Sequence, residues 1–488
     1  MSFWTLDSIK SLLGASWLAR AASGPATSEL FGVAIDSRIV KPGNVFLAMK
    51  GERVDGHDFL AQAAAAGAGL AIVENAAAAI PPGLPVLKVE STAAALIRLA
   101  TVYRTTLDGT KVVAVSGSNG KTTTTRLLHT VLAAHLRGTA SQKSFNNSIG
   151  VPLTVLAARP GDHFLICEVG TNAPGEIAQL ADIVKPDISI ITSIGREHLE
   201  GLGSLQGVIA EEAAIASAIQ LSGVAIVPES PIEIVESVRA RMAAAGHARP
   251  NLVRFGAAPD ADWRVGAVEV DETGTSFTIN GRIRFRTRLV GAHNAFNAAA
   301  VVAAARRFGL DDSAIAAALA DAGGAEYRLA LEQHAGIATL NDAYNANPDS
   351  MLAGLRTFSD LARRRNPARR VVVLGDMLEL GDAAPDAHRE IGDALAADPA
   401  IDLAVLVGPL MMFAAERLRK KWTGEKVIIL PPLDDDAAAA RVASMFRPGD
   451  FVFLKGSRRM GLERVATCVK AAADAPRIAP SPAAPAHG

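Results

Sequence analysis

Apolar positions in this chain fall in short runs bounded by polar turns, and these runs alternate with stretches where apolar residues recur every three or four positions. That alternation predicts strands and helices in turn, hence an α/β architecture built on mainly parallel sheets. The pattern is sharpest over residues 112–128, VVAVSGSNGKTTTTRLL. Val112, Val113 and Val115 suit a buried strand. Gly117, Asn119 and Gly120 supply turn chemistry, and Leu127, Leu128, Val131, Leu132 and Leu136 then hold one helical face. Upstream, runs at 32–35, 45–48, 70–73 and 86–89 predict four short strands. One helix is expected from near His57 to Ala66, with Gly67 at its C-cap, and another behind Ser91 as N-cap. Downstream, runs at 163–169 and 188–194 predict further strands of the central sheet. Between residues 263 and 290 the period becomes two, with Asn280-Gly281 at a type I′ turn, so a small antiparallel sheet attached to the parallel one is expected there. Residues 291–297 open an Ala-rich helix. Runs at 337–340, 371–374, 403–407, 427–430 and 451–454 predict a second mainly parallel sheet, with Asn347-Pro348 starting one of its helices.

A length of 488 residues fits about three domains. The pattern places them at 1–108, 109–322 and 323–473, followed by a tail, 474–488, whose prolines among small residues predict disorder. A net charge of −1 provides no whole-chain field for nucleic acid or anionic lipid. The basic cluster Arg363, Arg364, Arg365, Arg369 and Arg370 reads as a solvated face. Cys167 and Cys468, the only cysteines, make neither a disulfide framework nor a zinc site. The start, MSFWTLDSIKSLLGAS, lacks the pattern of a signal peptide, and the Ala-rich segment 63–73 is too short to span a bilayer. A cytoplasmic protein, and a monomer, is expected.

Strand, glycine turn, Lys-Thr and helix together outline a P-loop. Glycine lets backbone N–H groups face a phosphate, and the helix N-terminus adds positive potential. Lys121 would reach the β- and γ-phosphates of ATP, and the Thr122 hydroxyl would hold Mg2+. The full pattern wants Gly at position 115, where this chain has Val115; the shorter G-S-N-G-K-T remains. In an open parallel sheet, ligands lie beyond the carboxyl ends of the strands. Glu168, closing one apolar run, and His198, following another in Gly195-Arg196-Glu197-His198, would arrive at that edge beside Thr122. Such a set could hold Mg2+ beside a triphosphate, although imidazole is less usual for so hard a cation. The polar loops 36–38 and 51–57 fit surface turns as well as ligand binding.

These motifs resemble the Mur ligases of peptidoglycan precursor synthesis, over about residues 30–465. Gly117, Ser118, Asn119, Gly120, Lys121, Thr122 and Thr123 look like the family's short P-loop. Residues 168–172 (EVGTN), 198–201 (HLEG) and His293-Asn294 with Asn297 match its central-domain motifs. Residues 146–152 (NNSIGVP), 342–348 (DAYNANP), 375–381 (GDMLELG) and 455–458 (KGSR) look most like the branch that joins D-alanyl-D-alanine to UDP-N-acetylmuramoyl-tripeptide. The Asp-Asn-Pro-Arg of the related branch that adds a diamino residue does not occur.

The resemblance implies a small N-terminal UDP-binding domain, a central ATPase domain and a C-terminal Rossmann-like domain, with ATP and Mg2+ as cofactors. It places Asp36, Ser37, Arg38, Asp55 and His57 at the uridine diphosphate. Asn146, Asn147, Tyr344, Asn345, Lys455, Ser457 and Arg458 would face the substrates. Asn294, Asn297, Arg328 and Asp342 would hold ATP, with Lys121, His198 and Arg328 in catalytic roles and Thr122, Glu168, His198 and Glu212 around metal. Arg328 is usually preceded by Gly; here Tyr327 stands before it. Many family members carbamylate a lysine in the helix after the His-Leu-Glu-Gly loop, to help hold a second Mg2+. Glu212 takes that place, and would supply similar charge without modification. Alternatively, Glu211 and Glu212 decorate a helix near its N-terminus, where acids are favoured. The implied reaction activates a carboxylate as an acyl phosphate, which an amine then attacks, in a site whose parts close around the substrates by hinge motion. Another amide ligase of the same fold, such as a folylpolyglutamate synthetase, differs in acceptor, and the loops 36–57 argue against it. A nucleotide-binding scaffold is opposed by intact Lys121, Thr122, Glu168 and His198.

Overall fold

The computed structural model describes residues 3–20, 30–76, 79–142, 144–324, 326–422 and 424–474. The expected tail, apart from Asp474, lies outside the described residues. The chain forms two compact units: residues 1–269 with 276–288 and 294–323, and residues 270–275 and 289–293 with 324–488.

The first unit holds two sheets. The smaller runs Ser16–Ala19, Val86–Lys88, Leu70–Val73, Val45–Leu47, Val33–Ala34, and is parallel except at its first pair. The helix Leu6–Leu13 and the strand Ser16–Ala19 were not expected from the apolar pattern. That helix is fixed by Thr5, whose hydroxyl accepts from Ser8 N–H, and by Gly14 in the left-handed C-cap position. The helix expected from His57 is a 3₁₀ turn, Gly56–Phe59, and then a short α-helix, Leu60–Ala65. Asp55 starts the turn by accepting from His57 N–H.

The larger sheet runs Ile283–Thr287, Gly274–Ile279, Trp263–Asp271, Leu252–Gly256, Val224–Pro228, Ile188–Ile191, Lys111–Ser116, Phe164–Glu168, Gly138–Ala140. The antiparallel part is attached to the parallel sheet, as expected. Trp263–Asp271 pairs parallel with Leu252–Gly256 and continues the same layer. At the hairpin, Asn280 and Gly281 both have positive φ, +53° and +66°, as a type I′ turn requires. The central strands are buried on both faces, so they read as unbroken apolar runs.

The two sheets of this unit share one core. Trp4, Leu47, Ile72, Leu99 and Tyr103 belong to the same apolar cluster as Val112, Val155, Leu165 and Ile177. The helix Thr92–Arg104 packs against Gly150–Ala157 and Glu176–Val184. The Tyr103 hydroxyl donates to Ala158 O at 2.8 Å, and the Arg104 guanidinium donates to Val184 O and Lys185 O at 2.7 and 2.9 Å. Arg104 thereby satisfies carbonyls left open at a helix C-terminus.

The second unit carries a sheet ordered Ala330–His334, Ile337–Asn341, Asp450–Lys455, Arg369–Gly375, Leu403–Val407, Val427–Leu430. All pairs but the first are parallel. Asn347 caps the helix Pro348–Arg365 in a reciprocal capping box with Ser350. Arginines at the end of this helix and the next strand are engaged by acids: Arg363 with Asp360, Arg365 with Glu272 and Arg369 with Asp450. No helix among the described residues is long and apolar enough to cross a membrane.

Candidate functional site

The glycine turn follows Lys111–Ser116 and feeds the helix Lys121–Ala133. No side chain caps that helix. Gly117 and Gly120 lie at φ +115° and +90°, in the region where only glycine is unstrained. A Cβ on Gly117 would stand 2.4 Å from Thr192 Oγ1, and one on Gly120 2.4 Å from Asn297 Oδ1. The turn is held along its length by the loop after Ile188–Ile191. Ser118 N–H donates to Ser193 O (2.8 Å) and Asn119 N–H to Ser193 Oγ (3.0 Å). The Thr192 hydroxyl donates to Asn119 O (2.6 Å), and Gly195 N–H to Ser118 Oγ (2.8 Å). Asn297 and Asn294, both buried, sit at the start of the helix His293–Arg306 and bond each other at 3.2 Å.

Parallel pairing sets Glu168 opposite Val115, so its carboxylate emerges beside the turn. The Thr122 hydroxyl donates to Glu168 Oε1 at 3.1 Å, and Asn146 Nδ2 donates to the same oxygen at 3.0 Å. Asn146, expected at the substrates, is therefore joined to the pair expected around Mg2+. Its neighbour Asn147 accepts from Gly150 N–H at 2.9 Å and starts the helix Gly150–Ala157. His198 has φ +48° and places Nε2 3.8 Å from Glu197 Oε2. No group of three or more His, Cys, Asp or Glu side chains forms a metal-holding cluster among the described residues.

Glu211 and Glu212 end the helix Leu205–Glu212, and both are buried. The alternative of acids decorating a helix N-terminus is thus overturned: these carboxylates stand at the end where the helix dipole opposes them, and specific donors hold them there. Glu211 accepts from Gly175 N–H (2.7 Å) and Ile177 N–H (2.8 Å), at the start of the helix Glu176–Val184. Glu212 is wholly buried, and its Oε2 accepts from Gly117 N–H at 2.7 Å. Burial pushes its carboxyl pKa up, while the Lys121 ammonium and the Gly117 hydrogen bond pull it down.

One functional candidate was missed by reasoning from sequence. Glu197, 7% exposed, places Oε1 3.6 Å from Lys121 Nζ. Burial and the nearby Glu212 charge push its pKa up, while the Lys121 ammonium favours the ionised form and pulls it down. Its position one residue before His198 was visible, but its aim toward the turn depends on backbone folding between 192 and 198.

In the N-terminal sheet's loops, Asp36 and Arg38 form a bidentate pair at 2.6–3.1 Å, and that hydrogen bonding lowers the Asp36 pKa to about 2. The Ser37 hydroxyl donates to Gln62 Oε1 at 2.9 Å. His57 places Nδ1 2.6 Å from Asp55 Oδ1, while its Nε2 accepts from Glu74 N–H at 3.0 Å. With both ring nitrogens engaged inside the domain, His57 orders its loop.

The second unit gathers another group. Lys455 Nζ donates to Asp342 Oδ2 (2.6 Å) and Asn345 O (3.0 Å), 2% exposed. Asp342, expected at ATP, and Lys455, expected at the substrates, are thus a single ion pair. The Arg328 and Arg458 guanidiniums lie over the Tyr344 ring, 4.2 and 5.6 Å from its centroid. The Ser457 hydroxyl accepts from Leu378 N–H at 2.9 Å.

Three family models match the chain: a Mur ligase family catalytic domain at residues 29–104, a Mur ligase middle domain at 115–305 and a Mur ligase glutamate ligase domain at 327–458. A UDP-N-acetylmuramoyl-tripeptide–D-alanyl-D-alanine ligase of Bacillus subtilis is 34% identical over 440 residues, covering 89% of this chain and 92% of the relative. The chain belongs to the Mur ligase family. Among solved Mur ligases, a MurF from Acinetobacter baumannii superposes with a TM-score of 0.81 at 30% identity, over 96% of this chain and 99% of that one. A MurF ligase from Thermotoga maritima in complex with ADP gives 0.74 at 25% identity, over 91% and 98%.

Proposed function

We propose that this Mur ligase is a UDP-N-acetylmuramoyl-tripeptide–D-alanyl-D-alanine ligase, an ATP-dependent enzyme of peptidoglycan precursor synthesis. The observation that carries this reading is the glycine turn with Lys121 and with Thr122 bonded to Glu168, in a chain matching ligases of that name over nearly its whole length. The functional division is 1–108 for the UDP-bearing substrate, 109–322 for ATP and 323–473 for the acceptor and part of the nucleotide. The enzyme acts as a cytoplasmic monomer.

A carboxylate is a poor acyl donor, because its charge repels an amine and oxide does not leave. The tripeptide's terminal carboxylate oxygen attacks the ATP γ-phosphorus, and the bond to the β-phosphate oxygen breaks, releasing ADP. The amine of D-alanyl-D-alanine then attacks the acyl carbon. The carbon–oxygen bond to phosphate breaks, phosphate departs, and the amine gives up a proton. Both first-step partners are anions, so catalysis rests on positioned positive charge. Gly117–Thr123 amides and the Lys121 ammonium receive phosphate oxygens, Asn294, Asn297 and Asp342 hold the nucleoside end, and Arg328 adds a guanidinium. Thr122 and Glu168 are adjacent hard oxygen donors suited to Mg2+, with His198 and Glu212 completing the metal residues. Bound there, Mg2+ would neutralise phosphate charge. Asp36, Ser37, Arg38 and Asp55 receive the uridine diphosphate from a loop that His57 orders. Asn146 and Asn147 meet the muramoyl substrate, and Tyr344, Asn345, Lys455, Ser457 and Arg458 the peptide partners.

The test is phosphate release from ATP with UDP-muramoyl-tripeptide, in the presence and absence of D-alanyl-D-alanine. Release that requires both substrates, with product of the summed mass, is expected. Release with glutamate as acceptor instead, or with neither, overturns the reading.

A further inference from the structure

Lys121 is folded back along its own turn. Its ammonium donates to Gly117 O at 2.5 Å and lies 3.4 Å from Ser118 O, with Glu197 Oε1 at 3.6 Å. Glu197 is not a surface acid that happens to be near. Its side chain is 9% exposed, and that of Lys121 14%. Glu197 Oε1 is buried and has no hydrogen-bond partner, so the Lys121 charge is what compensates it. The loop that carries it is tied to the same turn at Gly195: Gly195 N–H bonds Ser118 Oγ, and the Ser118 hydroxyl in turn lies 3.2 Å from Gly195 O. The loop that braces the phosphate-binding turn therefore keeps the carboxylate within reach of the ammonium.

A phosphate received by the turn needs the same ammonium. We propose that Glu197 is a positioning residue that competes with the nucleotide's phosphates for Lys121, and so sets how tightly ADP is held and how fast it leaves. This rests on the reading of residues 117–123 as the ATP site. The physical logic is an exchange. Phosphate draws Lys121 from one buried anion to another, and Glu197 takes it back as ADP departs. Without that counter-ion, the phosphates face one competitor fewer for the ammonium. Product release limits turnover in many enzymes that enclose their substrates, so faster turnover and weaker product binding come from the same contact.

The sign of the effect makes this testable. Glu197→Gln keeps shape and removes charge. Titration of the full-length protein with ADP and Mg2+, followed by calorimetry, should show Kd lower by about tenfold, as expected for loss of one partly desolvated competing charge. Stopped-flow dissociation of a fluorescent ADP analogue should slow by a similar factor, and KM for ATP and kcat should fall together. Glu197→Asp, which keeps the charge but draws it back, should lie between wild type and Glu197→Gln. If Glu197 were only structural, both variants would loosen the turn and weaken ADP binding. Unchanged or weaker ADP binding in Glu197→Gln, or a Glu197→Asp that does not shift toward it, overturns the proposal. If Glu197→Gln does not fold, Glu197→Asp alone decides, by tighter or by equal-or-weaker ADP binding. Wild-type protein that binds no ADP would instead overturn the ATP-site reading itself.

Discussion

The Lys455–Asp342 pair offers a quantitative test of how the second unit is built. Lys455→Met keeps most of the side-chain volume and removes the ammonium. Asp342 then loses its 2.6 Å partner and keeps a 3.3 Å contact from Leu329 N–H, and Asn345 O loses its donor as well. The Lys455 side chain is 3% exposed and that of Asp342 14%, so water replaces little of what is lost. Removing one member of a buried, hydrogen-bonded pair costs about 3–5 kcal/mol, because the other charge stays buried without compensation. For a unit of this size, each kcal/mol lowers the melting midpoint by about 2–4 °C, so a drop on the order of 10 °C is expected. Differential scanning calorimetry of the full chain should show it in one transition and leave the other in place. The double variant Asp342→Leu/Lys455→Met should recover at least half of the loss, since no uncompensated charge remains. A drop of less than about 2 °C in Lys455→Met, or a double variant worse than the single, would refute the reasoning.

Lys121→Ala should lower kcat by about 10²- to 10³-fold, as expected for the loss of one preorganised donor, with an unchanged circular dichroism spectrum; near-normal turnover would remove Lys121 from the phosphate site. Glu212→Gln can still accept from Gly117 N–H but carries no charge, so activity should fall and the Mg2+ concentration for half-maximal rate should rise. Wild-type activity should be indifferent to added bicarbonate, and clear stimulation would show that a carbamate, not Glu212, supplies the charge. Burial raises the Cys167 thiol to about 12, so at pH 8 iodoacetamide should leave it intact in folded protein and modify it in urea. Cys468, partly exposed, should react in both states. Mass spectrometry of the two peptides distinguishes the outcomes.

Features made by neighbouring residues were legible in the sequence. The strand, glycine turn and helix of residues 111–133, the Asn347 cap and the Asn280-Gly281 turn each stand in the structure where local chemistry placed them. What escaped depends on contacts across long sequence separations. Ala330–His334 alternates too weakly to read as a strand, because it lies at a sheet edge and only one side of it is paired. Lys455 and Asp342 are 113 positions apart, and nothing in either segment announces the other. Glu212 was legible as a candidate carboxylate at the metal, but the partners that bury Glu211 and Glu212 were not: amide groups at the start of the helix Glu176–Val184 and of Gly117, brought to them by the sheet. The candidate site was thus readable as a set of residue types, with Thr122 beside Glu168, while its other partnerships were not.

The docking of Thr92–Arg104 has a consequence for how such a chain can change over generations. The loops 36–38 and 51–57, proposed to receive the uridine diphosphate, bond within their own domain and can be rewritten without disturbing another. Tyr103 and Arg104 cannot, because each is answered by carbonyls of helices outside the N-terminal sheet. Exchanging the first hundred residues for those of a relative with another donor substrate would replace one half of a shared apolar core and leave the other half unmatched. New donor specificity is therefore more accessible to this lineage by drift in the loops than by transfer of the module.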